Sequence, residues 1–162
     1  MASTGDTAPD FEATFVADDV ESMRLSERLG DGPVVLAFFP AAFTGTCTTE
    51  LCTLRDRFDR FEALNATVMG ISTDLPYALS EFRSQEEFTF GLVSDAGHEA
   101  IAAYDVVDSF DHVGIDEIAR RSVFVIDDEG TITYRWLAGE PGEEPPYDEV
   151  EAAVESATAE AI

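Results

Sequence analysis

Two cysteines, Cys47 and Cys52, stand five positions apart, and they are the only thiols in 162 residues. A hydroxyl at Thr44 precedes the first of them, with Pro40 upstream and the carboxylate of Glu50 between the pair. Close cysteines of this kind suit redox chemistry better than stapling, because two thiols cannot build a disulfide framework. The chemistry on offer is nucleophilic attack by a thiolate. Its simplest competitor is a buried structural cysteine, which packs as a small apolar group.

Placement favours the reactive reading. Pro33–Phe39 is a short, continuous run of β-branched, aliphatic and aromatic residues, the pattern of a strand buried on both faces. Beyond the cysteines, Leu51, Leu54, Phe58, Phe61 and Leu64 recur at helical spacing with Arg55, Asp56, Arg57, Asp59 and Glu62 between them. The segment therefore reads as strand, loop, helix, with Cys47 in the first helical turn. Unpaired N–H groups and the positive end of the helix dipole favour an anion there. Cysteines at such positions ionise below the roughly 8.5 of a free thiol. Thr44 can offer its hydroxyl to the sulfur or to an oxygen bound against it, and Pro40 stiffens the approach.

Pro40, Thr44 and Cys47 form the pattern Pro-x-x-x-Thr-x-x-Cys, which resembles the active-site motif of the peroxiredoxins, thiol peroxidases of thioredoxin-like fold. The resemblance covers nearly the whole chain. Gly5–Phe11 is similar to the family's N-terminal opening, Val68–Asp74 to its second core strand, and Arg121–Asp127 to its arginine-bearing strand. The run Cys47–Cys52 resembles the Q-type, or bacterioferritin-comigratory-protein, branch, whereas Phe43-Thr44-Gly45 resembles the one-cysteine, alkyl-hydroperoxidase-E-like branch. By this resemblance Cys47 attacks peroxide, and Cys52 resolves the product as an intramolecular disulfide that a thioredoxin-like protein or small thiol reduces. Arg121 matches the family's catalytic arginine, whose forked donors stabilise the thiolate and polarise peroxide oxygens. Arg120 is expected to point the other way, since adjacent strand residues face opposite sides. Glu50 either holds Arg121 in place or is an ordinary first-turn carboxylate. Two alternatives stay open: an external thiol that resolves Cys47, and a redox sensor or chaperone-like binding protein in which oxidation only changes a partner contact.

The resemblance carries a mechanical demand. Five residues along an ideal helix separate two Cα atoms by about 8.6 Å, whereas a disulfide needs less than about 7 Å. The helix carrying both cysteines must then come apart during each cycle.

Charge bounds the rest. Acidic residues number 34 against 9 basic ones, all nine being arginine, for a formal net charge of -25. Such a surface excludes nucleic acid and anionic membranes as partners, because no basic patch is available for phosphates. Hydrophobic content of 45% argues for a packed fold over a disordered acidic chain. The better explanation is adaptation to molar salt, where repulsion among carboxylates is screened. No apolar run approaches a membrane span and no leader-like segment opens the chain, so a cytoplasmic protein is expected, as monomer or homodimer. His98 and His112 give no zinc spacing and no glycine-rich phosphate loop follows a strand, so neither metal nor cofactor is expected.

The fold expected is α/β and thioredoxin-like: one domain over 1–162, with a central mixed sheet flanked by helices on both sides and an N-terminal β-hairpin. The hairpin falls at Phe11–Val16 and Val20–Leu25, followed by one helical turn at Ser26–Leu29. Further strands fall at Ala66–Ser72 and Phe88–Val93, with helices at Leu75–Glu86 and Gly97–Tyr104. Val106–Ala119 reads as a long loop. Ser122–Ile126 and Thr131–Trp136 pair around Asp127–Gly130, Glu140–Pro146 is a connector, and Tyr147–Ala159 closes the chain as a helix.

Overall fold

The computed structural model describes residues 2–160. The apolar run that follows Pro33 becomes strand β3 (Val34–Phe38), buried along its whole length. Its side chains alternate between two cores: Val35, Ala37 and Phe39 fall in one, and Val34, Leu36 and Phe38 in the other. A strand buried on both faces needs neighbours on both edges, and β3 has them. It pairs parallel with β4 (Thr67–Ser72) and antiparallel with β8 (Ser122–Ile126).

Outward from this centre lie β5 (Gly91–Ser94), parallel to β4, then the N-terminal hairpin β1 (Glu12–Val16) and β2 (Val20–Arg24). On the other side β9 (Ile132–Leu137) completes a seven-stranded mixed sheet of order β2-β1-β5-β4-β3-β8-β9. One face of the sheet is covered by α1 (Gly45–Asp56), α2 (Phe58–Ala63), α3 (Pro76–Glu86) and α5 (Tyr147–Glu160), whose apolar residues join Phe39, Val123 and Val125. The opposite face is covered by α4 (Glu99–Ala103) with Phe11 and Tyr104. No helix among the described residues is long and apolar enough to cross a membrane.

Four expectations are corrected. The helical periodicity from Cys47 to Leu64 is interrupted at Arg57, where α1 ends and α2 begins. Arg57 there turns to α5, pairing with Asp148 and Glu151 and lying over the Tyr147 ring. The segment Val106–Ala119 is not a loop but a two-stranded ribbon, β6 (Val107–Phe110) and β7 (Ile115–Ala119). Much of its surface is exposed, so backbone pairing holds it without the buried alternation that would have announced it. Phe88 and Phe90 precede β5 rather than form it, and pack with Phe82 in an aromatic cluster. The single turn after β2 is a 3₁₀ turn at Leu25–Arg28, one residue early.

Helix α1 sits close on the sheet because Gly70 of β4 lacks a side chain. A Cβ there would lie 3.4 Å from Leu51 and 2.9 Å from Leu92. That space accepts the fully buried Leu51, between the two cysteines, and fixes how α1 presents them.

Candidate active site

Strand β3 delivers the chain to Pro40, and residues 41–44 turn it into α1. The turn is anchored from below: the carboxylate of Asp74 accepts from the Ala42 N–H at 2.8 Å and from the Ser72 hydroxyl at 2.7 Å. Phe43 is forced into the left-handed region (φ 65°), a conformation uncommon for a bulky side chain, and its ring packs against Phe82 of α3. Thr44 is the N-cap but forms no side-chain cap bond. Its hydroxyl donates to the Ala41 carbonyl at 2.7 Å; of the two partners the sequence offered it, the sulfur and an oxygen bound against the sulfur, the first does not take its proton here. The first α-turn closes from the Thr48 N–H to the Thr44 carbonyl, which leaves the preceding N–H groups without helical partners beside Cys47.

Cys47 is buried and faces Arg121, the residue that precedes β8. Four hydrogen bonds hold the guanidinium. Nη2 donates to Cys47 Sγ at 3.2 Å, Nη1 to Glu50 Oε1 at 2.6 Å, and both Nε and Nη2 to the Pro141 carbonyl, at 3.2 and 2.9 Å. Burial works against the charge of Arg121, but Glu50 and Cys47 outweigh it and hold the guanidinium above its ordinary value. Glu50 is fully buried, and burial pushes its carboxyl up to about 7 against the pull of Arg121. Its second oxygen, Oε2, has no hydrogen-bond partner among the described residues. Of the two readings of Glu50, the arginine contact is the one found.

A cavity of about 290 Å³ opens over the thiol, walled by Pro40, Thr44, Cys47, Phe110, Arg121 and Pro141 among others. Arg120 and Arg121 both lie between β7 and β8, outside either strand, and Arg120 is engaged elsewhere: its Nε donates to the Ala138 carbonyl at 2.8 Å. Pro40, Thr44, Cys47, Glu50 and Arg121 thus converge. Cys52 does not: it is half-buried, borders a different and open groove beside Thr48 and Thr49, and its thiol donates to Glu86 Oε2 at 3.4 Å. Both thiols are free.

The family is settled by comparison with known proteins: the AhpC/TSA family matches residues 4–135. The chain belongs to the AhpC/TSA family. Among family relatives, peroxiredoxin Bcp of Escherichia coli (strain K12) is 36% identical over 132 residues, 80% of this chain and 82% of that one. The ycf42 relative in Pyropia yezoensis is 37% identical over 138 residues, 80% of this chain, which spans 66% of its length. In structure, peroxidoxin BcpB of Mycobacterium tuberculosis is similar with a TM-score of 0.84 and 33% identity, over 96% of this chain and 98% of that one. Relatives named Bcp agree with the resemblance of this chain to the bacterioferritin-comigratory branch, and the thioredoxin-like AhpC/TSA fold agrees with the sheet described above.

Sequence reasoning missed two walls of the site. The Pro141 carbonyl is a backbone group in a connector, which no side-chain pattern marks. Phe110 lies on β6, hidden in what read as a loop; an aromatic amid acidic residues was its only signal.

Proposed function

We propose that this thiol peroxidase reduces hydrogen peroxide or organic hydroperoxides at Cys47 and resolves the product through Cys52. The observation that carries the reading is the single guanidinium of Arg121, held between Glu50 and the Cys47 sulfur beneath a cavity that admits a small ligand. The Cys47 thiolate attacks the terminal peroxide oxygen, the O–O bond breaks, and the sulfur becomes a sulfenic acid while the leaving oxygen takes a proton and departs as water or alcohol. Nη2 of Arg121 is placed to polarise the breaking bond. Thr44, whose proton is committed to Ala41, faces the cavity as an acceptor for the hydroperoxide O–H. Cys52 then condenses with the sulfenic acid, and a thioredoxin-like protein or small thiol reduces the disulfide.

The Glu86 contact of Cys52, away from the cavity, favours a second reading in which an external thiol resolves Cys47. Peroxide consumption with a thioredoxin-type donor separates the two. Cys47→Ser should abolish turnover, since a serine hydroxyl is not an anion at neutral pH. Cys52→Ser should complete one oxidation and then stall. Normal turnover by Cys52→Ser with the same donor establishes the one-cysteine cycle.

We also place the protein in the cytoplasm of an organism living at molar salt, as a one-domain monomer or homodimer. A net charge of -25 without lysine supports the salt assignment. Lowering salt from molar to about 0.1 M lengthens screening from about 3 Å to about 10 Å, so the melting temperature should fall. An unchanged melting temperature removes that assignment.

A further inference from the structure

Cys52 is the half of the thiol pair that the peroxide site does not use, and its surroundings are built. Its Sγ donates to Glu86 Oε2 at 3.4 Å, at the last residue of α3. That end of α3 is fixed: Glu87 is left-handed (φ 55°) and its N–H closes onto Arg83 and Ser84 carbonyls. Arg55, one turn after Cys52 on α1, donates from Nη1 to the Glu86 carbonyl at 2.6 Å and pairs with Asp56 at 3.0 Å. The charged groups facing Cys52 are therefore Glu86 from α3 and Arg55 and Asp56 from its own helix. The one cation among them is already committed to Asp56 and to the α3 terminus.

We propose that Glu86 is a latch on the resolving cysteine: its carboxylate keeps Cys52 protonated and docked on the α3 side of α1, and release from Glu86 limits disulfide formation. This rests on the reading of Cys52 as the resolving thiol. A carboxylate acceptor favours the S–H over the thiolate, and burial pushes the Cys52 thiol up in the same direction, with Glu86 adding to it. Resolution requires the opposite state. The Cys52 sulfur must leave Glu86, approach Cys47 as α1 unwinds, and attack the sulfenic sulfur. The S–O bond then breaks as the S–S bond forms, and the proton given up by Cys52 leaves with the hydroxide as water. Cys52 is oxidised in that step and the sulfenic sulfur reduced. While the latch is closed the sulfenic acid persists, open to a second peroxide and irreversible conversion to sulfinic acid. Glu86 touches neither peroxide nor Cys47; it is a positioning residue for the second half of the cycle.

The test is single-turnover disulfide formation after one equivalent of hydrogen peroxide, measured from pH 5 to 9 by quench and mass spectrometry, with Cys47 oxidation timed separately. Glu86→Gln keeps the shape and an oxygen acceptor but removes the charge. At neutral pH it should speed disulfide formation by about fivefold, the difference between a charged and a neutral acceptor for one hydrogen bond. The rise of rate with pH should also move to lower pH, which a merely structural role would not produce. Glu86→Ala, which has no acceptor, should be at least as fast. Under excess peroxide both variants should accumulate less Cys47 sulfinic acid than the parent. A disulfide rate equal to or below the parent's, with an unshifted pH profile, overturns the latch. If the parent itself forms no Cys47–Cys52 bond in non-reducing peptide maps, the resolving role falls and the latch with it. A parent that forms the bond beside an unchanged Glu86→Gln variant removes the latch alone.

Discussion

The two cysteines lie on one helix, five positions apart, in opposite electrostatic surroundings. Cys47 is 1% exposed and receives a hydrogen bond from a guanidinium, whereas Cys52 is half-buried and donates one to a carboxylate. The same functional group is held as an acceptor in one place and as a donor in the other. The difference comes from the partner each face of α1 meets, Arg121 before β8 or Glu86 at the end of α3, and not from residue type. In the proposed cycle the more buried thiol is the nucleophile.

Removing the cation should break that contrast most severely. Arg121→Ala takes away the donor to Cys47 Sγ and leaves Glu50 buried without a counter-charge, so the rate of Cys47 oxidation should fall roughly 10²-fold or more. Arg120→Ala, whose parent side chain serves the Ala138 carbonyl, should cost little with hydrogen peroxide as substrate. Equal losses at both positions, in stopped-flow measurements, would mean that the catalytic cation has been misassigned.

The contrast should also collapse physically when the cycle turns. Both thiols are free on a continuous helix running Gly45–Asp56, which cannot close a bond between them without unwinding. Amide exchange from Thr46 to Arg57 should lose protection in the disulfide form, while β3 stays protected. Leu51 and Leu54, buried in the reduced form, should then be exposed. Unchanged protection in a protein with a confirmed Cys47–Cys52 bond would defeat the unwinding.

The smallest effect expected is on stability, through Glu50. Its carboxyl is raised from an ordinary 4.5 to about 7 by burial, so the folded state holds a proton that the unfolded chain gives up at lower pH. Stability from this group is fully present below about 4.5 and is lost as pH rises to about 7. Glu50→Gln should flatten that part of the stability profile, read as denaturation midpoints between pH 4.5 and 8. An identical slope in the variant would assign the pH dependence to other carboxylates.

Much of this was legible before the structure because it is local. Strand β3 announced itself as a continuous apolar run, α1 by its helical period, and the placement of Cys47 by the junction between them. Helix-start chemistry needs only residues within a few positions of each other. The ribbon β6–β7 was not legible, since strands exposed to water need no buried alternation, and Phe110 went unseen with it. The break at Arg57 carries no glycine or proline, and what meets Arg57 there, Asp148, Glu151 and the Tyr147 ring of α5, lies far along the chain.

The sequence by itself determined which thiols were available, which of them begins a helix, and how acidic the surface would be, because composition and short-range periodicity are complete in one dimension. Tertiary structure decided how Arg121 crosses 74 positions to reach Cys47, a contact the sequence offered only through family resemblance, and how Glu86 crosses 34 to reach Cys52, which nothing in the sequence marked. Those contacts follow from which strand lies beside which and from which helix end meets α1. Burial then magnifies them, since a charge held away from water acts on its neighbour far more strongly than one in solvent. The proximity of the thiols in sequence is local; their opposite chemistry comes from residues far along the chain.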